Sequence, residues 1–247
     1  MKRIASIVLA AFLTCGFCES ALAQMDRTVK KTSIPDHLKL TREQMDDICD
    51  AAVLKVEELN EYISKMADKG YRNRNQFITP AKALFLENCG PYDEIKFNER
   101  GEIIERNQSE GVSVELAWGK PSNFTLKERL MRVYFHNLVK LNYKTVDIKT
   151  TDAVNMKVTR PERMGLDKDG NMTYKCHVTY VHQFEYTTHE NKTGGDRTTK
   201  IVECHITEIK ILDINNQPDY IYDVKLGNIY VENLELIDST RNVELIP

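Results

Sequence analysis

The sequence predicts an α+β fold: an N-terminal helical hairpin and a third helix packed on a curved antiparallel sheet. Three observations carry that expectation. From Tyr174 to Tyr186 the even residues Tyr174, Cys176, Val178, Tyr180, His182, Phe184 and Tyr186 suit a core, whereas Lys175, His177, Thr179, Gln183 and Glu185 are polar. Side chains on a strand alternate between faces, so this stretch reads as a half-buried strand with one aromatic face. The N-terminal half instead repeats its apolar residues every three or four positions, the period of a helix that can cover that face. No internal repeat or flexible inter-domain linker stands out, so residues 41–237 read as one domain.

The first helix is expected over about 42–68, with Ile48, Ala52, Val56, Leu59, Ile63 and Met66 on one side. Thr41 and Gln44 form a capping box at its start and Gly70 closes it. A second helix over about 74–88 carries Phe77, Ala81, Leu84 and Phe85, with Pro80 kinking it or starting its stronger half. Cys89-Gly90-Pro91 ends it. Two helices joined by a short turn form an antiparallel hairpin. Reflection about residue 70 then sets Cys49 level with Cys89, where a disulfide would be worth ~2–4 kcal/mol.

Ile95–Arg106 reads as a charged connector with a short strand at Ile103-Ile104. Val112, Val114, Leu116 and Trp118 alternate, which predicts a strand over 111–118. Thr125-Leu126-Lys127-Glu128 has the form of a capping box, and Leu126, Leu130, Val133 or Tyr134, and Leu138 continue it as a third helix to about Leu141. Strands follow over about 144–150 and 153–159, and Asp167–Asn171 is a turn. Three long strands close the domain: 172–187, a hairpin tip at Gly194-Gly195, 197–212, a turn at Asn215–Pro218, and 219–237. The last shifts its apolar phase at Gly227, which predicts a bulge and a curved sheet.

Residues 1–23 read as a signal peptide: Lys2 and Arg3, an apolar core over Ile7–Leu13, and Ala21-Leu22-Ala23 before Gln24. Thr14 and Phe17, before Cys15 and Cys18, depart from the small residue that a lipid-attachment site requires, which favours release of a soluble periplasmic or extracellular protein. Residues 24–40 read as a flexible arm and 238–247 as a C-terminal tail. Without Lys2, Arg3 and Glu19, the 34 basic and 37 acidic residues fall to 32 and 36, a net charge of −4. That balance argues against a general nucleic-acid binder, and no later stretch is apolar enough for a membrane span.

Four cysteines remain after the signal: Cys49, Cys89, Cys176 and Cys204. Cys176-His177 and Cys204-His205 suggest zinc, but adjacent strand residues point to opposite faces, so the four ligands cannot converge. A cross-strand Cys176–Cys204 disulfide, or two small buried thiols, is the better reading. No metal or other cofactor is expected. Catalytic motifs are absent as well: there is no G-x-S-x-G, His-Glu-x-x-His, phosphate loop or paired-carboxylate signature. The most distinctive surface is the face of Tyr174, Tyr180, His182, Phe184 and Tyr186, joined by Trp118. It is either the wall of a ligand pocket or a sheet packed on helices.

The order of elements, with the segments "LKERLMRVYF", "YKTVDIKTTDAVNMKV", "KCHVTYVHQFEY", "GGDRTTKIVECHI" and "YDVKLGNIYV", resembles the nuclear transport factor 2-like, cystatin-like superfamily over about Thr41–Ile237. The resemblance implies a cone, with the sheet curling round the helices and an opening able to hold a ligand. Members of that superfamily include pocket isomerases and dehydratases as well as non-catalytic binding and assembly domains, and fold alone does not choose. The expectation is therefore an exported, non-catalytic binding or assembly module for a protein or small molecule. The alternative is a small-molecule pocket enzyme of isomerase, dehydratase or hydrolase type. A third reading makes the sheet a homodimer interface.

Overall fold

The computed structural model describes residues 40–97, 103–120, 122–212, 214 and 216–237, with the side chains of residues 94, 96, 97 and 118–120 left out. The stretches expected to be a signal peptide and a C-terminal tail, and almost all of the expected arm, lie outside the described residues. The described part is α+β, with three α-helices and a large, mostly antiparallel sheet that does not close into a barrel. No helix among the described residues is long and apolar enough to cross a membrane.

Helix α1 spans Arg42–Ala67 and buries Ile48, Ala52, Val56, Leu59, Ile63 and Met66, the residues its 3.6-residue period selects. Each of the larger side chains is worth roughly 1.5–3 kcal/mol on full burial. The second helix is shorter than its pattern suggests. A 3₁₀ turn at Arg74–Phe77 leads into α2, Ile78–Ala83, and the chain then turns extended at Phe85. The cause is tertiary: the Leu84 carbonyl accepts a hydrogen bond from the Leu226 amide at 2.9 Å, and Phe85 bridges to Leu226. Glu87, Asn88 and Cys89 then take positive φ. Cys89 thus leaves the helix that would have set it beside Cys49.

The charged connector is a hairpin, β1 Tyr92–Phe97 with β2 Ile103–Ser109. The largest departure follows it. Strand β3, Ser113–Lys120, pairs along its whole length with β4, Asn123–Leu130, where the capping box predicted a helix. Leu126 is exposed, and the charged residues Lys127, Glu128 and Arg129 suit a sheet edge. Only then does α3 begin, Met131–Leu138, its first amide bonded to the Val112 carbonyl at 2.8 Å.

The main sheet has the order β4-β3-β10-β9-β8-β5, where β5 is Thr145–Thr150, β8 Met172–Thr187, β9 Thr193–Leu212 and β10 Pro218–Leu236. The free edge of β8 is shared by β5, by the two-residue β6 (Lys157–Val158) and by β7 (Glu162–Leu166). A 3₁₀ turn at Ala153–Asn155 replaces most of the strand expected over 153–159. The β8–β9 tip is Thr188–Lys192, not Gly194-Gly195, with Asn191 at φ 62°. The two glycines lie inside the ladder opposite Tyr186 and Glu185, because a Cβ at Gly194 would meet the Tyr186 hydroxyl at 2.8 Å. The Gly227 bulge is present: pairing slips between Leu226 and Ile229. Glu203 holds it, accepting hydrogen bonds from the Asn228 amide (3.1 Å) and pairing with Lys175 (2.7 Å), while Asn228 Oδ1 accepts the Ser113 amide of β3. A Cβ at Gly227 would come within 2.9 Å of Glu203 and His205, so glycine is required by close approach.

Candidate functional site

The core-facing residues of β8 and β9 stand directly opposite one another: Tyr174/Ile206, Cys176/Cys204, Val178/Val202, Tyr180/Lys200, His182/Thr198 and Phe184/Asp196. The first three rows are apolar and packed. The last three carry polar groups, and here a cavity of about 120 Å³ opens between the sheet and α3. Its apolar walls are Leu116, Leu138, Leu141, Phe184, Val231 and Leu234; His182, Asp196, Thr198 and Lys200 supply polar atoms, with Glu115, Tyr134 and Asn137 beside them. Partly exposed Asn137, Leu141 and Asp196 give it contact with solvent. The volume is near that of an engineered cavity that takes up benzene, about 150 Å³, so it suits a molecule of roughly that size.

Burial sets the electrostatics. Lys200 is only 5% exposed, and burial pushes its amine down to about 8, opposed by the Asp196 carboxylate. Asp196 is pushed up to about 6 by burial, against the pull of Lys200. Burial, then Lys200, holds His182 well below the usual imidazole range, so it is neutral at pH 7. Burial also raises the phenols of Tyr134 and Tyr180. Among the described residues Lys200 has no ion-pair partner; its Nζ lies 5.8 Å from the Tyr134 ring centroid, a cation–π contact. The Nε2 of His182 and the hydroxyl of Tyr180 are buried without a hydrogen-bond partner. Such groups cost about 1–3 kcal/mol each, and of the two residues His182 lines the cavity.

Of the residues singled out from the sequence, His182 and Phe184 line the cavity. Tyr180 stands opposite Lys200 in the same row but is packed, 2% exposed, and does not line the cavity. Tyr174 lies at the other end of the strand, donating its hydroxyl to Glu208 at 2.9 Å. The backbone of Trp118 pairs with Thr125, and its side chain lies outside the described ones. Sequence reasoning missed Lys200, Asp196 and Tyr134. A signal existed: Asp196 and Lys200 share the even phase of Val202, Cys204 and Ile206 on β9.

The four cysteines are free thiols. Cys176 and Cys204 are register partners, as the cross-strand reading expects, in the form of two buried thiols and not a disulfide. Cys49 is not paired with Cys89; it lies near Cys176, while Cys89 feels Lys82 and Arg132. His177 faces Glu203 on the opposite side of the sheet from the thiols, and no group of three His, Cys, Asp or Glu among the described residues is set to hold a metal ion.

Comparison with protein-family models, curated proteins and solved structures gives no match.

Proposed function

We propose that this protein is an exported binding module of nuclear transport factor 2-like architecture that holds a small, mostly apolar molecule with one polar end. The observation that carries the reading is the cavity above the β8–β9 ladder. Apolar walls supply contact area, and the unpartnered Nε2 of His182 and the amine of Lys200 supply orientation at one end. Three helices packed on long strands with a bulged β10 support the cone-like architecture.

The test is titration of the full chain with butyramide, followed by shifts of the His182 ring and Phe184 signals in NMR spectra. Saturable shifts at both residues are expected. Ala117→Phe, placed in the cavity wall, abolishes them while the rest of the spectrum persists. No shift at either residue in the folded wild-type chain overturns the reading.

An enzymatic reading has one specific observation in its favour. Asp196 and Lys200 are shifted toward neutrality from opposite sides, which suits an acid–base pair at neutral pH. Turnover of a bound compound, lost in Asp196→Asn, would establish it over simple binding.

A further inference from the structure

Lys200 stands on the core side of β9, between Thr198 and Val202, where a lysine is otherwise out of place. A buried ammonium needs a paired carboxylate, yet among the described residues none is in ion-pair contact with it. The charged and titratable groups sharing its cavity are Asp196 on its own strand, His182 on β8, Glu115 on β3 and Tyr134 on α3. Glu115 is engaged at the Val231 amide, 2.9 Å away, and His182 is neutral. An anionic ligand would pair with Lys200 only by sharing the cavity with the Asp196 carboxylate. A neutral carbonyl compound escapes that repulsion and uses both groups.

We propose that Lys200 captures a small aldehyde or ketone as a reversible imine, with Asp196 moving the proton. This rests on the binding reading above. The neutral amine's lone pair attacks the carbonyl carbon and forms the C–N bond. The carbonyl π electrons pass to oxygen, which takes a proton from the Asp196 carboxyl. One nitrogen proton returns to Asp196, which then protonates the carbinolamine hydroxyl; the C–O bond breaks, one molecule of water leaves, and the nitrogen lone pair forms the C=N bond. The product is the protonated imine of Lys200 beside the Asp196 carboxylate; no oxidant or reductant takes part, and water reverses the reaction. Desolvation of a lysine in an apolar pocket is a known way of making its amine nucleophilic. Partly exposed Asp196 stands where the expelled water can leave.

The experiment uses the wild-type full chain, butanal as the probe and cyanoborohydride to trap the imine at pH 7, with peptide mass mapping against time. Lys192, whose side chain is 70% exposed, is the internal standard. Lys200 is expected to be butylated ~10²-fold faster than Lys192, because a lysine desolvated in an apolar pocket is the better nucleophile. Butyramide, which fits the same cavity and forms no imine, slows the Lys200 reaction and leaves that of Lys192 unchanged. Labelling of Lys200 no faster than Lys192, with butyramide still shifting His182 and Phe184, overturns the imine and leaves the binding reading standing. If butyramide also fails to bind, both fall. Preferential binding of butyrate over butyramide, with Lys200 labelled at the Lys192 rate, makes the cavity an anion site and overturns the proposal.

Discussion

The two halves of the β8–β9 ladder are built from the same strands and the same inward phase, yet only one is solid. In the half from Tyr174 to Val178 the rows are apolar or thiol, Ile206, Cys204 and Val202 are at most 1% exposed, and α1 lies against them, with Cys49 near Cys176 and Asp47 near Tyr222. In the half from Tyr180 to Phe184 the cover includes the eight-residue α3, which offers Tyr134, Asn137 and Leu138, and the rows carry Lys200, Thr198 and Asp196. The comparison teaches that alternation selects a face but not its use. A helix of 26 residues fills its half; one of eight, ~12 Å long, leaves room.

The contrast is broken most severely in the packed half. Ile206→Ala removes a fully buried side chain and is expected to cost ~2–5 kcal/mol, measured by urea unfolding. The other half responds in the opposite direction. Because burial depresses the Lys200 amine, the folded chain holds fewer protons than the unfolded one between about 8 and the ordinary lysine value of 10.5. The penalty is therefore present in full below pH 8 and is relieved as pH rises toward 10.5. Lys200→Met is expected to be more stable than wild type by ~1–3 kcal/mol at pH 7, with the difference gone near pH 10.5. A Lys200→Met chain less stable than wild type at pH 7 would show that the amine is stabilising in place.

Asp196 gives a smaller effect, since it is partly exposed. Its carboxyl is raised from 3.8 to about 6, so the folded chain holds the extra proton and stability falls as pH rises through that window. Asp196→Asn removes this loss and is expected to gain ~1 kcal/mol at pH 7 and nothing at pH 3, by thermal unfolding at both values. The smallest effect is kinetic. Burial raises the Cys49 thiol to about 11 and the Cys89 thiol to about 12, and interaction with Cys176, then burial, raises Cys204. Iodoacetamide at pH 7 is expected to leave all three unmodified in the folded chain and to label them once urea unfolds it. Rapid labelling of Cys204 in the folded chain would mean that the packed half opens.

The elements legible in the sequence were those whose period ran long enough to exclude the alternative. Helix α1, with its apolar residue every three or four positions from Ile48 to Met66, and β8, with seven inward residues in strict alternation, match their expected spans closely. Short segments failed because two periods fit them equally. Thr125–Glu128 satisfies a capping box, but eight register pairs with β3 outweigh a single cap. Gly194-Gly195 has the composition of a turn, yet serves the close approach of Tyr186 and the Phe184 backbone inside the ladder.

For the site, His182 and Phe184 were readable because they share the aromatic face of one strand. Lys200 and Asp196 were not, since a polar residue in a core phase is meaningful only once its cover is known. The sequence by itself determined which residues face inward along the long strands and along α1, because side-chain direction follows from backbone period alone. Only the tertiary structure decided that Cys176 and Cys204 meet in a packed row while Tyr180 and Lys200 meet at the base of a cavity. Whether an inward row is filled or left open depends on the length and placement of the element above it, and that element is fixed by contacts far away in the chain.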